Sequence, residues 1–340
     1  MMPKMRGFPV RWSTGAVDKR PVTNSKAPIV VALGGNAISP LGQGGDIASQ
    51  FKHTRISCRS LVPIVEAGFP LVITHGNGPQ VGAALRRVEL SAHAVYPLDL
   101  GICVADVQGG MGYMIAQCLM NELRTHDRPD LVTTLITSVE VDPDDPALHH
   151  ATKPIGSLFD EEEADVHRQR HGWTMVKVSG GYRRVVASPM PRRVVELDVI
   201  RQCLADGNIV IAVGGGGIPV YRDAHGQHRG LQAVIDKDLA SGCLAKDLGA
   251  QTLVILTAVD AVYLDFNTPK ARSLDRLTVD EARRLYDDGQ FPAGSMGPKM
   301  RAVIEFLEST DAPDARACIG DLGQLGDVLA GKAGTTITRT

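Results

Sequence analysis

Aromatic residues are scarce in this 340-residue chain, at 4% of the sequence against 44% for all hydrophobic residues. A buried core must therefore consist mainly of Val, Ile, Leu and Ala side chains. No apolar run approaches the roughly 20 residues that a helix needs to cross a membrane. The chain also lacks a Cys-x-x-Cys pair, because its six cysteines are scattered. We interpret them as reduced thiols of a cytoplasmic protein.

An excess of charge of either sign is absent as well. Thirty-six basic residues face thirty-eight acidic ones, which gives a formal net charge of −2. This balance gives no reason to expect nucleic acid or a membrane as a partner. A metal-binding pattern is also lacking, since His149 and His150 have no third ligand at a recognisable spacing. We interpret these two histidines as exposed loop residues.

The first 27 residues differ in composition from the rest of the chain. They contain six basic residues and a single acid, Asp18, and no apolar core of a secretory signal. We interpret residues 1–27 as a leader without fixed structure, or as residues before the true start of the protein. An organelle-targeting peptide is the alternative, because such segments are also basic and poor in acids. Residues 28–340 are expected to form the main domain.

From Ile29 onward, apolar strand patterns alternate with helical patterns. Several strand patterns are continuous apolar runs, which are typical of a parallel sheet covered on both faces. The alternation predicts an α/β fold, a three-layer αβα sandwich with a mainly parallel central sheet. The predicted strands are Ile29–Leu33, Pro70–Thr74, Leu131–Val141, Ile209–Val213, Thr252–Leu256 and Arg316–Ile319. The predicted helices are Ile47–Ala67, Gly78–Ala94, Cys103–Leu123, Val194–Asp206, Asp236–Leu248, Val279–Asp288 and Gly297–Glu308.

The alternation is interrupted between Asp142 and Pro191. A turn cluster rich in Asp and Pro is followed by a short acidic helix, with Asp160 as its N-cap, Glu163 placed for a capping box and Gly172 at its end. Two further strand patterns, Trp173–Val178 and Tyr182–Val186, predict a hairpin. We predict a small protruding subdomain over about 142–191 that serves as a lid.

Three glycine-rich segments each follow a strand pattern. They are Val31–Ala37, Thr74-His-Gly-Asn-Gly-Pro-Gln80 and Val213-Gly-Gly-Gly-Gly-Ile218. Glycines at the end of a buried strand expose backbone N–H groups, and a helix that begins there adds its positive end. Neither the dinucleotide-binding pattern nor the Walker A pattern is present. His75 is interpreted as a hydrogen-bonded structural histidine.

Two lysine-bearing segments follow the glycine loops. Asp236-Lys-Asp238 begins an apolar-faced helix, and Lys299 lies just inside another predicted helix start, after Gly294-Ser-Met-Gly-Pro298. A lysine is unfavourable at the positive end of a helix unless an anion lies nearby. Three glycine loops and two such lysines together indicate a site for phosphoryl transfer.

Taken together, these segments resemble the carbamate kinase family of the amino acid kinase superfamily. The resemblance runs from about Ala27 to the C-terminus and includes ALGGNAI, THGNGPQVG, YPLDLG, TKPIG, GGGGIPV, AVIDKDLAS, LTAVDAVYLDF and AGSMGPKM. It implies reversible phosphoryl transfer between ATP and carbamate, with ADP and carbamoyl phosphate as the other pair. It also implies Mg²⁺ held mainly by nucleotide phosphates, a homodimer and small-molecule substrates.

The resemblance also implies roles for individual residues. Lys153, Lys237 and Lys299 would neutralise the transferring group, with Asp238 organising the lysines. The phosphoryl and carbamate pocket would be lined by Gly34, Gly35, Asn36, Gly76, Asn77, Gly215 and Gly216. The nucleotide would be held by Asp236, Thr257, Ala258, Val259, Asp260, Tyr263, Gly294, Ser295, Met296 and Gly297.

Some positions depart from the commoner family pattern. They are the Ser39–Gly45 loop, the segment Phe51–Arg55 and Ala187, which stands where a proline is usual. Because these positions are expected near the acceptor and the lid, two alternatives stay open. One is a kinase of the same fold for another small carboxylate-like anion, and the other is a nucleotide-binding regulator without turnover.

Overall fold

The computed structural model describes residues 26–35, 38, 46–128, 131–178, 180–292 and 294–340. The predicted leader, the Ser39–Gly45 loop and Asn36 therefore lie outside the described residues, apart from the last two positions of the leader. The described helices are α1 Ile47–Glu66, α2 Gly78–Ser91, α3 Leu100–Thr125, α4 Glu161–His171, α5 Leu197–Ala205, α6 Lys237–Leu248, α7 Val279–Asp287, α8 Met296–Ser309 and α9 Leu325–Leu329.

The strands fall into a large sheet and three smaller ones. In chain order they are β1 Ile29–Leu33, β2 Leu71–His75, β3 Val132–Thr134, β4 Ser138–Val141, β5 Lys153–Phe159, β6 Thr174–Val178, β7 Gly181–Val186, β8 Pro191–Val194, β9 Ile209–Ile211, β10 Ile218–Arg222, β11 His228–Gly230, β12 Thr252–Thr257, β13 Val262–Leu264, β14 Arg272–Leu274, β15 Arg276–Thr278, β16 Arg316–Asp321 and β17 Thr335–Thr338. None of the helices in the described ranges is long and apolar enough to cross a membrane.

The large sheet has eight strands in the order β15-β17-β16-β12-β1-β2-β9-β3. Its strands from β16 to β3 are parallel, and β17 is antiparallel to β16. Parallel neighbours require crossover connections, and these are supplied mainly by the helices between them. The predicted α/β class with a mainly parallel sheet is confirmed.

The three layers follow from strand β1, which is buried on both faces. Its side chains alternate between two core clusters. Val30 and Ala32 pack with residues of α5, α6, α7 and α8, whereas Val31 and Leu33 pack with α1, α3 and α9. A continuous apolar run is therefore required here, since neither face of the sheet meets water.

One predicted strand is wrong, and one predicted helix includes the end of a strand. The predicted strand Leu131–Val141 is two strands in different sheets, because the chain turns away from β9 after Leu135 and Thr137 binds to helix α3 instead. The predicted helix Val194–Asp206 begins only at Leu197, because Val194 pairs with Val139 of β4. The other predicted helices and strands are found with ends that differ by up to three residues.

The chain between β4 and β8 forms a separate three-stranded antiparallel sheet, in the order β5-β7-β6, covered by α4. The predicted capping box of Asp160 and Glu163, the left-handed Gly172 and the hairpin are confirmed. Strand β5 is an addition to the prediction. It packs on α2, where a Cβ on Gly82 would lie 3.3 Å from the Cα of Gly156. We call this sheet with α4, residues 153–186, the small subdomain.

Candidate active site

The three glycine loops meet at one edge of the large sheet. They follow β1, β2 and β9, which are neighbours in the parallel part of the sheet, so their carboxyl ends open into a common crevice. The backbones approach closely there. A Cβ on Gly76 would lie 3.2 Å from the amide nitrogen of Gly35 and 3.5 Å from Cδ of Lys237. A Cβ on Gly34 would lie 2.9 Å from the carbonyl oxygen of Leu256 in β12.

The third loop, Gly214–Gly217, closes the other side of the crevice. Gly215 has φ +68° and Gly216 has φ +98°, which are conformations that residues with a side chain rarely adopt. A Cβ on Gly215 would overlap the Asn77 amide, and one on Gly216 would overlap the carbonyl oxygen of Ile235. The loop therefore needs glycine for both its conformation and its close approach to Asn77.

The side-chain amide of Asn77 faces this cradle. The residue is 8% exposed, and within the described residues its Nδ2 has no hydrogen-bond partner. A buried N–H₂ group without an acceptor is costly unless a ligand satisfies it. An anionic oxygen placed between Asn77 and the glycine loops would supply the missing acceptor.

Helix α6 brings the carboxylates and the first lysine to the crevice. Asp236 is its N-cap and accepts from the backbone N–H of Asp238 at 2.9 Å, so the first turn is fixed. Lys237 is bonded to the carboxylate of Asp238. A hydroxyl pair also ties Lys237 to β2, since Thr74 Oγ1 lies 2.6 Å from Ser241 Oγ, which donates to the carbonyl of Lys237.

Lys299 reaches the same carboxylate from helix α8. Its Nζ lies 3.0 Å from Oδ2 of Asp238. The two helices approach closely at Gly242, where a Cβ would lie 2.9 Å from the carbonyl oxygen of Ala302. Asp238 thus bridges two lysines that come from different helices.

Burial and charge act in opposite directions on this group. Burial alone would raise the pKa of Asp238, but the charges of Lys237 and Lys299 and their hydrogen bonds lower it to about 2. Burial lowers the pKa of Lys237, and Lys299 adds to that effect, whereas Asp238 opposes it. Asp238 therefore stays ionised at neutral pH and offsets the repulsion between the two ammonium groups.

Lys153 enters from the small subdomain. It is the first residue of β5, and its Nζ lies 2.6 Å from Oδ2 of Asp236. The structure therefore brings all three predicted lysines to the start of α6. It divides them between two carboxylates, with Lys153 on Asp236 and the other two on Asp238. The resemblance assigned Asp236 to the nucleotide. In the structure this residue instead caps α6 and pairs with Lys153.

The other residues that the resemblance assigned to the nucleotide lie mainly beside β12, the neighbour of β1. Ala258, Val259 and Asp260 line a cavity of about 520 Å³ together with residues that follow β16. Tyr263 donates from its hydroxyl to Asp260 at 2.9 Å. Thr257 ends β12, and the segment Gly294–Gly297 leads into α8, the helix that carries Lys299. These residues form the second half of the candidate site.

His75 lies against the glycine loops as a buried structural residue. Its Nδ1 donates to the carbonyl of Gly76 at 3.2 Å, and a Cβ on Gly214 would lie 2.5 Å from its Nε2. Burial lowers the pKa of His75 to about 4, so the ring is neutral at pH 7. The predicted hydrogen bond of His75 is confirmed. His149 and His150 are exposed, and the described ranges hold no group of His, Cys, Asp or Glu suited to a metal ion.

The residues present fit a phosphate-bearing ligand. Three lysines face two carboxylates, so the crevice carries an excess of positive charge beside Asn77, whose Nδ2 has no hydrogen-bond partner among the described residues. Divalent cations are bound by oxygen ligands, but Asp236 and Asp238 are already paired with lysines. A magnesium ion would therefore be held mainly by phosphate oxygens of the ligand.

The fold and the site together define an α/β protein built to hold phosphate groups. A model of the amino acid kinase family matches residues 27–314. The chain is 42% identical over 318 residues to the carbamate kinase of Thermococcus kodakarensis, and this match covers 92% of this chain and 99% of that protein. It is 43% identical over 316 residues to that of Staphylococcus haemolyticus, with the same shares covered.

Solved structures agree with this relationship. Carbamate kinase from Giardia lamblia bound to AMP-PNP superposes with a TM-score of 0.86 at 38% identity, over 92% of this chain and 99% of that one. This chain belongs to the amino acid kinase family.

The crowding at Gly215 predicts that a single methyl group disables the site. In Gly215→Ala the Cβ displaces the Asn77 amide, so we expect phosphoryl transfer to fall at least about tenfold, as for the loss of a preorganised contact. Gly226→Ala is the matched control, because Gly226 has φ +74° but nothing within 4 Å of a Cβ. Steady-state rates of both variants test this. Equal losses would show that backbone strain, and not the contact with Asn77, is responsible.

Proposed function

We propose that the protein is a carbamate kinase, which catalyses reversible phosphoryl transfer between ATP and carbamate. The observation that carries the proposal is the convergence of Lys153, Lys237 and Lys299 on two carboxylates beside Asn77, whose Nδ2 lacks a partner in the described part of the chain. The relatives with the same extent and about 42% identity are named carbamate kinases. Formation of ATP from ADP and carbamoyl phosphate is the proposed physiological direction.

The residues act by holding charge in place. In phosphoryl transfer, negative charge is spread over the oxygens of the transferring group, and catalysis consists mainly of positioning and electrostatic stabilisation. Lys237 and Lys299 are held by Asp238 before the reaction begins, so little reorganisation is needed. The Asn77 amide and the glycine backbones orient the same group from the opposite side of the crevice.

No general base is required of the protein in this reaction. The acceptor, carbamate, is already an anion, and the buried His75 is neutral and bonded to Gly76. A divalent cation, Mg²⁺ in our proposal, would neutralise further charge on the nucleotide phosphates. Asn36 is proposed as a further contact to the acceptor and lies outside the described residues. We place the enzyme in the cytoplasm.

The direct test compares phosphoryl donors. We expect ATP formation from ADP and Mg²⁺ with carbamoyl phosphate, and far slower formation with acetyl phosphate or no donor. The two donors differ in the amino group that replaces a methyl group, so they probe the acceptor pocket alone. A coupled luciferase assay measures the product. Equal or faster turnover with acetyl phosphate would favour a kinase for another small carboxylate-like anion, and no turnover with any donor would favour the non-catalytic regulator.

The small subdomain is proposed to close over the acceptor half of the site. Lys153 connects the small subdomain to helix α6 through the 2.6 Å ion pair with Asp236. The Lys153 side chain is 39% exposed. An ion pair with that much exposure contributes little to stability, so opening would mainly have to separate β5 from the apolar cluster that Ile155 shares with α2 and α3. Lys153 lies on Asp236 in this closed position, so opening of the subdomain would remove the third positive charge from the site.

Replacement of Lys153 tests this role of the subdomain. Lys153→Ala is expected to lower kcat at least about tenfold while the Kd for ADP stays nearly unchanged, because the candidate nucleotide residues lie beside β12. Lys177→Ala is the control, since Lys177 is an exposed lysine of the same small sheet. Steady-state kinetics and calorimetry measure the two quantities. Near-normal kcat in Lys153→Ala would remove this lysine from the mechanism.

A homodimer is proposed through the outer face of α3. Ile102, Tyr113 and Met120 are exposed on this helix, and Leu131 and Ile136 are exposed beside it. Strand β3, between these last two residues, is the terminal strand of the large sheet. Exposed apolar side chains along one face, beside an open sheet edge, are typical of a surface that is covered by another chain.

A charge placed on that face should prevent dimer formation. Tyr113 is 62% exposed, and we expect Tyr113→Glu to shift the mass measured by light scattering from dimer to monomer. Val199→Glu introduces the same charge at a half-exposed apolar residue on α5, on the other side of the sheet, and should leave the dimer intact. A parent protein that is monomeric, or a dimer unaffected by Tyr113→Glu, would contradict the proposed interface.

A further inference from the structure

The tetraglycine loop begins at a residue in an unfavourable conformation. Val213 has φ +54° and ψ +35°, the left-handed region. Among the described non-glycine residues with positive φ it is the β-branched one, the others being Asp127, Asp265 and Asn267. A β-branched residue persists there only when its surroundings impose the conformation. The groups that hold Val213 therefore also set the position of Gly214–Gly217.

Thr137 holds both ends of this loop. Its hydroxyl oxygen accepts from the backbone N–H of Val213 at 2.6 Å. Its carbonyl oxygen accepts from the backbone N–H of Ile218 at 3.0 Å. Between these two anchor points lie only the four glycines, so one residue fixes where the loop begins and where it ends.

Gln108 of helix α3 fixes the orientation of Thr137. Its Oε1 accepts from the backbone N–H of Thr137 at 2.9 Å and from its hydroxyl at 3.2 Å, and its Nε2 donates to the Thr137 carbonyl at 3.1 Å. Because the hydroxyl hydrogen is directed to Gln108, the lone pairs of Oγ1 are available to Val213. Gln108 is 1% exposed and Thr137 is 0% exposed, so water does not compete for these bonds.

The loop held in this way is the one that crowds Asn77. Gly214 packs on His75 and on Cγ of Gln108, where a Cβ would lie 2.5 Å and 3.1 Å away, respectively, and Gly215 packs on the Asn77 amide. A shift of Val213 would move the glycine backbone relative to Lys237 and Asn77 together.

We propose that Thr137 and Gln108 are positioning residues for phosphoryl transfer, which act through the tetraglycine loop and touch no substrate themselves. This inference rests on the proposed function, because it assumes that the loop contacts the transferring group. It assigns the two residues to the rate of transfer and not to the binding of nucleotide, whose candidate residues lie beside β12.

Three threonine variants separate positioning from simple stability. Thr137→Val removes the hydroxyl at nearly constant volume, and Thr137→Ser keeps it. Thr310→Val is the matched control, because Thr310 is a buried threonine whose hydroxyl oxygen accepts from the backbone N–H of Ala312 at 3.3 Å, at the C-terminal end of α8 and away from the loop. For each variant, kcat, the Kd for ADP, urea unfolding and amide hydrogen exchange of the 210–220 segment are measured.

We expect kcat of Thr137→Val to fall at least about tenfold, with the Kd for ADP within about threefold of the parent, since small displacements of a reacting group have large effects on rate. Exchange in the 210–220 segment should rise. Thr137→Ser should restore kcat to within about threefold of the parent, and Thr310→Val should lose stability without loss of kcat. Gln108→Met removes the bonds to Thr137 at similar volume and should produce the same changes in kcat and exchange as Thr137→Val. It serves as the test variant if Thr137→Val does not fold.

The inference is overturned if Thr137→Val keeps the parent kcat and loop exchange, or if Thr137→Ser is as impaired as Thr137→Val. Failure of the proposed function gives a different result. A parent that forms no ATP from carbamoyl phosphate contradicts the function, whereas increased exchange confined to the 210–220 segment in Thr137→Val still supports the role of Thr137 in holding the loop.

Discussion

The buried carboxylate of Asp238 is the interaction on which the rest of the site depends. Lys237 and Lys299 come from two helices and meet at this group, where burial disfavours every charge. Without the carboxylate, two ammonium groups would face each other in a partly desolvated crevice. Ion pairs of this kind contribute little net stability, but removing one partner is strongly destabilising. We infer that these buried ion pairs are kept, despite the cost of burying charge, because they hold the lysines where the phosphate is to be placed.

The neighbouring carboxylate links the body of the protein to the small subdomain. Asp236 caps α6 and at the same time pairs with Lys153. Asp236 and Asp238 are thus separated by one residue yet hold lysines from three elements, α6, α8 and β5. This arrangement explains why the first turn of α6 is the centre of the site. It also allows one of the three positive charges to depend on the position of the small subdomain.

Much of this architecture could be predicted because its signals are local. Continuous apolar runs identified β1 and β12, and the capping residues Asp160, Glu163 and Gly172 fixed α4. The glycine loops were found for the same reason, since a strand followed by glycines is visible within about ten residues. The lysines were found partly by their unfavourable place at helix starts and partly by resemblance to a family.

The remaining features depend on contacts between distant parts of the chain. Strand β5 contains a proline and a glycine, so its sequence does not resemble a strand, and it is held by its pairing with β7. Thr137 lies in an apolar run that predicts one continuous strand, but Gln108 binds its backbone and the chain turns there. Sequence alone also could not divide the lysines between two carboxylates, because Asp236 and Asp238 are chemically alike. Gln108 and Thr137 are polar residues inside apolar patterns, and this was the one sequence signal that could have marked them as buried hydrogen-bonding residues.

Replacement of Asp238 by asparagine tests the central claim most directly, with Asp247→Asn as the control. Asp247 lies on the same helix and pairs with the preceding lysine, Lys246, at 3.1 Å, outside the crevice. We predict that Asp238→Asn lowers the free energy of unfolding by about 3 kcal/mol and kcat at least about a hundredfold. Asp247→Asn should change the free energy by about 1 kcal/mol at most and leave kcat nearly unchanged. A kcat for Asp238→Asn close to that of the parent would contradict the account.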